Sequence, residues 1–203
     1  MCKKLLIILS ILILAACVAE PIVKRASPDI HQQQTDKIHT AVKPLLQQGD
    51  WIVTRGYHAT DTLVVNATGM PISHVGVYDS ENNTVIEAEG KGIHTTNLID
   101  FIDKSYRVLI IRPRWSTPER SEIAVAKARA LVGQNYDFLG TIGINNSNRF
   151  YCSELAVDIY KDWRDPSEKI PAVIKPGELY LWGSMIYDSK PRNECCDPHR
   201  ITQ

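Results

Sequence analysis

The chain has 203 residues, of which 44% are hydrophobic and 23% charged, with 23 Lys+Arg balancing 23 Asp+Glu. That length supports one domain with a substantial core. The neutral balance excludes a general nucleic-acid surface, so no nucleic-acid partner is expected.

Lys3 and Lys4 form a positive n-region, and Leu5 to Leu14 an apolar h-region too short for a comfortable membrane span. It runs into Leu14-Ala15-Ala16-Cys17, which resembles a bacterial lipobox. The resemblance implies a lipoprotein signal over residues 1–16 and a lipid on Cys17. Residues 17–30 then form the lipidated N-terminus and tether, and residues 31–203 a single domain. Val18, rather than an aspartate, follows Cys17. This implies a lipid-anchored protein of the cell envelope, on the periplasmic face of the outer membrane.

Ile30, Ile38, Val42 and Leu45–Leu46 have partly helical spacing, broken at Pro44. Gly49-Asp50 leads into a strand from Trp51 to Thr54. Thr62 to Asn66 reads as a short strand or loop edge, and Gly69-Met70-Pro71 as a turn. Ser73 to Tyr78 alternates, with His74, Gly76 and Tyr78 on one face. After the turn cluster Asp79–Asn83, the return strand Thr84–Ala88 completes a hairpin. Leu98, Phe101 and Ile102 suggest a short helix capped near Thr95 or Thr96, and Val108–Ile111 an apolar strand.

Ser116 and Glu119 have capping-box spacing ahead of a helix whose expected buried side is Ile123, Val125, Ala128, Leu131 and Val132, closed by Gly133. Asn135–Arg149 reads as a loop. Leu155, Ile159 and Trp163 then recur at steps of four, placing Cys152 on the first turn of a helix. Ile170–Tyr187 is expected to hold an irregular turn and a last strand.

A thiol on a first helical turn faces backbone N–H groups and the positive end of the helix dipole, which favour the nucleophilic thiolate. Its competing reading is a small buried hydrophobe. A thiolate nucleophile needs a base, and the base a polar group to orient it. The hairpin can bring His74 and Glu87 onto one sheet face; Glu89 shares that face and is the direct rival, with Asp79 nearer the turn. His94 follows the hairpin and is a candidate for the same cleft. His31, His39, His58 and His199 have no comparable context. Cys195 and Cys196 would form a vicinal disulfide, pair between molecules or stay reduced. With His199 they make one short cluster without a second pair, so no metal site is expected.

Gly49-Asp50 before an apolar strand, then Ser-His-Val-Gly-Val-Tyr from Ser73 and Val-Ile-Glu-Ala from Val85, resemble the papain-like NlpC-type superfamily. In ordinary members the cysteine block comes first. Here Tyr136-Asp137-Phe138-Leu139-Gly140 and Cys152-Ser153-Glu154-Leu155 come last, and Lys175-Pro176-Gly177-Glu178-Leu179 follows. This order resembles the circularly permuted YiiX-like branch, related to lecithin:retinol acyltransferases, over about Gly49 to Leu179.

The resemblance implies an α+β fold with an antiparallel sheet packed against helices. It implies Cys152 as nucleophile, His74 as general base and acid, and Glu87 in the third position, where many relatives have histidine. Tyr136 and the Cys152 backbone N–H become oxyanion donors. No metal or organic cofactor is required. The expected activity is acyl transfer by a cysteine hydrolase on amide bonds, in a peptide or peptidoglycan fragment. The alternatives are a hydrolase or acyltransferase on ester-containing or acyl lipids, and a non-enzymatic envelope binding module. An apolar groove at Cys152 would favour acyl substrates; a polar cleft with a group for a free amine would favour peptides.

Overall fold

The computed structural model describes residues 22–144 and 149–193. The signal segment, Cys17, Cys195, Cys196 and His199 lie outside the described residues, and among those described no helix is long and apolar enough to cross a membrane. Helix α1 (Pro28–Val42) begins inside the expected tether. Ahead of it Arg25 already packs on the domain, ion-paired to Asp103 and stacked over Tyr57.

Six antiparallel strands form one sheet in the order β4-β3-β2-β1-β5-β6: β1 (Trp51–Gly56), β2 (His74–Asp79), β3 (Thr84–Glu89), β4 (Gly92–Asn97), β5 (Ser105–Pro113) and β6 (Gly183–Asp188). Period-two alternation divides their side chains between two cores. On one face Trp51, Val53, Val75, Val77 and Ile86 meet α4 (Pro118–Ala130) and α5 (Cys152–Asp158). On the other, Ile52, Val85, Val108 and Ile110 meet α1 and α3 (Leu98–Asp103). The result is α+β, helices on both faces of an antiparallel sheet, as expected.

Five local expectations are corrected. Thr62–Asn66, expected as a short strand or loop edge, lie in helix α2 (Ala59–Thr68). Asp61 Oδ2 accepts the His58 backbone N–H at 2.9 Å, and Gly69 ends the helix at φ +67°, open to glycine without a Cβ penalty. These two ends outweigh the β-branched Thr62, Val64 and Val65. Thr95 and Thr96 do not cap α3; they lie in the unexpected strand β4, which pairs with β3 from Thr84–Asn97 to Glu89–Gly92.

The cap of α4 is Thr117, whose hydroxyl accepts from Arg120 N, while Ser116 Oγ donates to Pro113 O. The buried stripe of α4 is Ser121, Ala124, Val125 and Ala128, at helical spacing, so Ile123 and Val132 point outward. Finally, α5 ends at Asp158. Ile159 is buried beyond it, and Trp163 lies in a separate short 3₁₀ turn, Lys161–Trp163.

Candidate active site

Two features fix Cys152 against β2. The Trp51 indole N–H donates to Ala156 O at 3.0 Å, tying the central strand to α5. At the start of α5, Ser153 Oγ donates to Ile174 O at 2.6 Å, and Tyr151 Oη accepts Ile174 N–H at 2.8 Å. His74 opens β2, where the sheet ends and side chains of the two layers can meet. Cys152 is buried, and its thiol is hydrogen-bonded to the His74 ring and to the Val75 backbone.

His74 Nε2 donates to Glu87 Oε2 at 2.7 Å, which leaves Nδ1 for the thiol. Register explains the meeting: Gly76 pairs with Glu87, so His74 and Glu87 are diagonal neighbours on one face. Glu87 is fully buried, whereas Glu89 lies 3.9 Å from the imidazole and is about one-third exposed. Asp79 is engaged elsewhere, by Arg129. The structure therefore brings Cys152, His74 and Glu87 together, with Glu89 at the margin.

Three groups complete the cluster. Lys104, at the end of α3, donates to both Glu87 oxygens at 2.7 Å and to Glu89 Oε1 at 2.9 Å. Thr96 Oγ1 donates to Glu87 Oε1. His94 pairs with Glu87 across the β3–β4 register; its Nδ1–H donates to Gly92 O at 3.1 Å, and its Nε2 faces Glu87 Oε1 at 3.4 Å. Sequence reasoning raised His94 only as a neighbour of the hairpin and missed Thr96 and Lys104. The signal for Thr96 was its register opposite Val85, which needs β4 to be seen as a strand.

Electrostatics follow from this packing. Burial raises the Cys152 thiol, but the hydrogen bond and charge of His74 outweigh it and hold the thiol below its ordinary value of 9.0. Burial likewise opposes a charged His74, yet Cys152 and Glu87 push its imidazolium up to about 10. Glu87 is also desolvated, but His74, the nearby His94 ring and Lys104 hold its carboxyl well below the usual range. Both shifts of the Cys–His pair favour thiolate with imidazolium at neutral pH.

Tyr136 lines the same cavity and joins Phe150 in an isolated bridge. Burial, then the Cys152 charge, pushes its phenol up, so it stays a protonated donor.

A cavity of about 740 Å³ opens over Cys152. Its apolar lining includes Leu63, Val64 and Ala67 of α2 together with Phe138, Ile142 and Val173. Polar groups of the lining include His74, Glu89, Lys104 and Ser105.

His74, Glu87 and Glu89 can each offer one atom to a cation, all within 4.8 Å of one another. The Lys104 ammonium already contacts both carboxylates in that space. With Lys104 there, the donor set does not fit a resident metal ion.

A family model described as permuted papain-like amidase enzyme, YaeF/YiiX, C92 family, matches residues 45–178. The crystal structure of metalloprotein yiiX from Escherichia coli O157:H7 superposes with a TM-score of 0.50 at 25% identity, over 57% of this chain and 65% of that one. The chain thus spans about 65% of the length of that structure. No curated protein matches the chain significantly.

Proposed function

Because the chain belongs to the permuted papain-like amidases, matched over residues 45–178, we propose that it is a cysteine amide hydrolase working through Cys152, His74 and Glu87. The observation that carries this reading is the continuous chain of contacts from thiol to imidazole to buried carboxylate.

In this reading the Cys152 thiolate attacks the amide carbonyl, forming an S–C bond and an oxyanion. Tyr136 Oη–H and the Cys152 backbone N–H, which has no intrahelical acceptor at a helix start, donate to the oxyanion. The C–N bond breaks as the His74 imidazolium gives its Nδ1 proton to the leaving nitrogen. Neutral His74 then takes a proton from water, whose oxygen displaces sulfur. The products are amine and carboxylic acid, with thiolate and imidazolium restored. Glu87 orients the ring and stabilises its charge. The Lys104 contacts argue against a step through a metal, although the neighbouring structure is described as that of a metalloprotein. The Leu14-Ala15-Ala16-Cys17 segment supports a mature chain anchored in the envelope by lipid on Cys17.

The test is alkylation of the full chain by iodoacetamide across pH, with intact mass to locate the adduct. Cys152 is expected to react with an apparent pKa below 9.0, and His74→Ala to raise that pKa and slow labelling at neutral pH. Amide turnover is expected to fall only as His74 loses its proton, near pH 10. A thiol that labels slowly and ignores His74→Ala overturns the reading. Radiolabelled palmitate incorporated by wild type and lost in Cys17→Ser checks the anchor; incorporation unchanged by the substitution rejects it.

A further inference from the structure

Lys104 stands where a metal ion would. Its Nζ lies 2.7 Å from both Glu87 oxygens and 2.9 Å from Glu89 Oε1, so its three protons are spent on three carboxylate oxygens. The donors around that ammonium are those of a metal site: His74 Nε2, Glu87 and Glu89 offer atoms within 4.8 Å of one another. A fourth group points the same way. His94 Nε2 is buried and makes no hydrogen bond, while its Nδ1–H is committed to Gly92 O at 3.1 Å. The neutral ring then presents a bare Nε2 lone pair, the arrangement of a ligating histidine whose other nitrogen donates to a backbone carbonyl. It faces Glu87 Oε1 at 3.4 Å and Glu89 Oε2 at 3.5 Å. Ligands about 2.0–2.1 Å from a tetrahedral zinc stand about 3.3–3.4 Å apart, so these spacings suit a shared ion.

We propose that Lys104 is a metal-excluding residue: its ammonium fills a latent divalent-cation site made by Glu87, Glu89 and His94, with His74 at the edge, and so keeps the imidazole free of metal. An ammonium supplies positive charge to both carboxylates yet offers a ring nitrogen nothing to ligate. A divalent ion in the same place would draw His74 Nε2 away from Glu87 Oε2, now 2.7 Å distant, and the ring would lose the bond that orients it. The exclusion rests on the geometry of the cluster; its benefit to turnover rests on the cysteine-hydrolase reading above.

The experiment reads binding apart from chemistry. Full-length chain carrying Cys152→Ala, which removes the thiol as a ligand, is titrated with Zn²⁺ by calorimetry, with and without Lys104→Met. Cys2, Cys17, Cys195 and Cys196 are common to every arm and cancel in the comparison. Removing the ammonium is expected to tighten Zn²⁺ binding by about a hundredfold, the upper end of what a change around a metal's ligands does, and adding His94→Ala to take back at least about tenfold. Lys104→Arg, which keeps the charge, is expected to exclude zinc as the parent does. Co²⁺ gives a second readout, a visible d–d absorption that gains intensity when Lys104 is removed. Lys104→Gln, which keeps a donor without the charge, carries the same test if Lys104→Met does not fold. Equal Zn²⁺ affinity with and without Lys104, or a gain that His94→Ala leaves untouched, overturns the proposal. Turnover by wild-type chain answers the other question. Cys152-dependent amide cleavage with equal zinc binding rejects the exclusion alone. Lys104-dependent zinc binding with no cleavage keeps the exclusion and rejects the hydrolase.

Discussion

Lys104 holds Glu87 and Glu89 under one ammonium, and that single side chain decides how much negative charge the imidazole feels. Removing it in Lys104→Met leaves a buried carboxylate beside a second one. The expected cost is about 2 kcal/mol, less than for a fully buried pair because Lys104 is a quarter exposed. Its pH dependence has a definite sign. Glu87 has a lowered folded-state pKa, so its contribution is present above its unfolded value of 4.5 and lost as pH falls through the folded one. Urea midpoints of wild type and Lys104→Met should differ most above pH 4.5 and converge in acid.

The two glutamates should also separate kinetically. Glu87→Gln is expected to lower kcat/KM by about 10²-fold, the scale of a general acid–base contribution, and Glu89→Gln by less than about tenfold. Equal losses would move the orienting role to Glu89.

Strand β2 packs so closely on its neighbour that one position takes no side chain. A Cβ on Gly76 would stand 2.2 Å from Val85 Cγ1 and 3.2 Å from Phe101, the ring that the His74 imidazole faces at 5.9 Å. Gly76→Ala should therefore cost about 2–3 kcal/mol by overpacking, and Val85→Ala should return part of it in a double-mutant cycle followed by denaturant unfolding. If the two losses simply add, the close contact is not the cause.

The hairpin was the legible element: Ser73–Ala88 alternates cleanly, its turn is short, and the register of His74 and Glu87 follows from counting. Helix α2 was illegible because Thr62, Val64 and Val65 favour extended backbone, and only Asp61 and Gly69 at its ends mark it as a helix. Missing β4 hid Thr96, and Lys104 carried no signal at all. A lysine at a helix end is ordinarily solvated; only the fold of β3 against α3 brings carboxylates to it.

On the scale of the whole molecule, the two ends of the domain are fastened by Arg192. Its buried guanidinium donates to the carbonyls of Ile102 and Ser105 at 2.7 Å and of His31 at 3.1 Å, and Gln34 Nε2 returns a bond to its own carbonyl at 2.9 Å. Arg192→Met leaves those carbonyls without these donors and should cost about 3 kcal/mol or more, seen as a lower Tm, with Arg192→Lys recovering part. An unchanged Tm would mean that the C-terminal segment is held by other contacts.

Chain order adds a consequence to the tie between Trp51 and Ala156. His74 and the carboxylates around it all precede residue 105, and the thiol itself arrives at residue 152. During synthesis the polypeptide is thus made with its imidazole and carboxylates long before it has a sulfur for them to act on. Until α5 docks on the sheet, Cys152 is an ordinary cysteine, protonated and sluggish. A reactive sulfur is therefore a certificate of complete assembly, and a misassembled copy has no activated nucleophile to misuse.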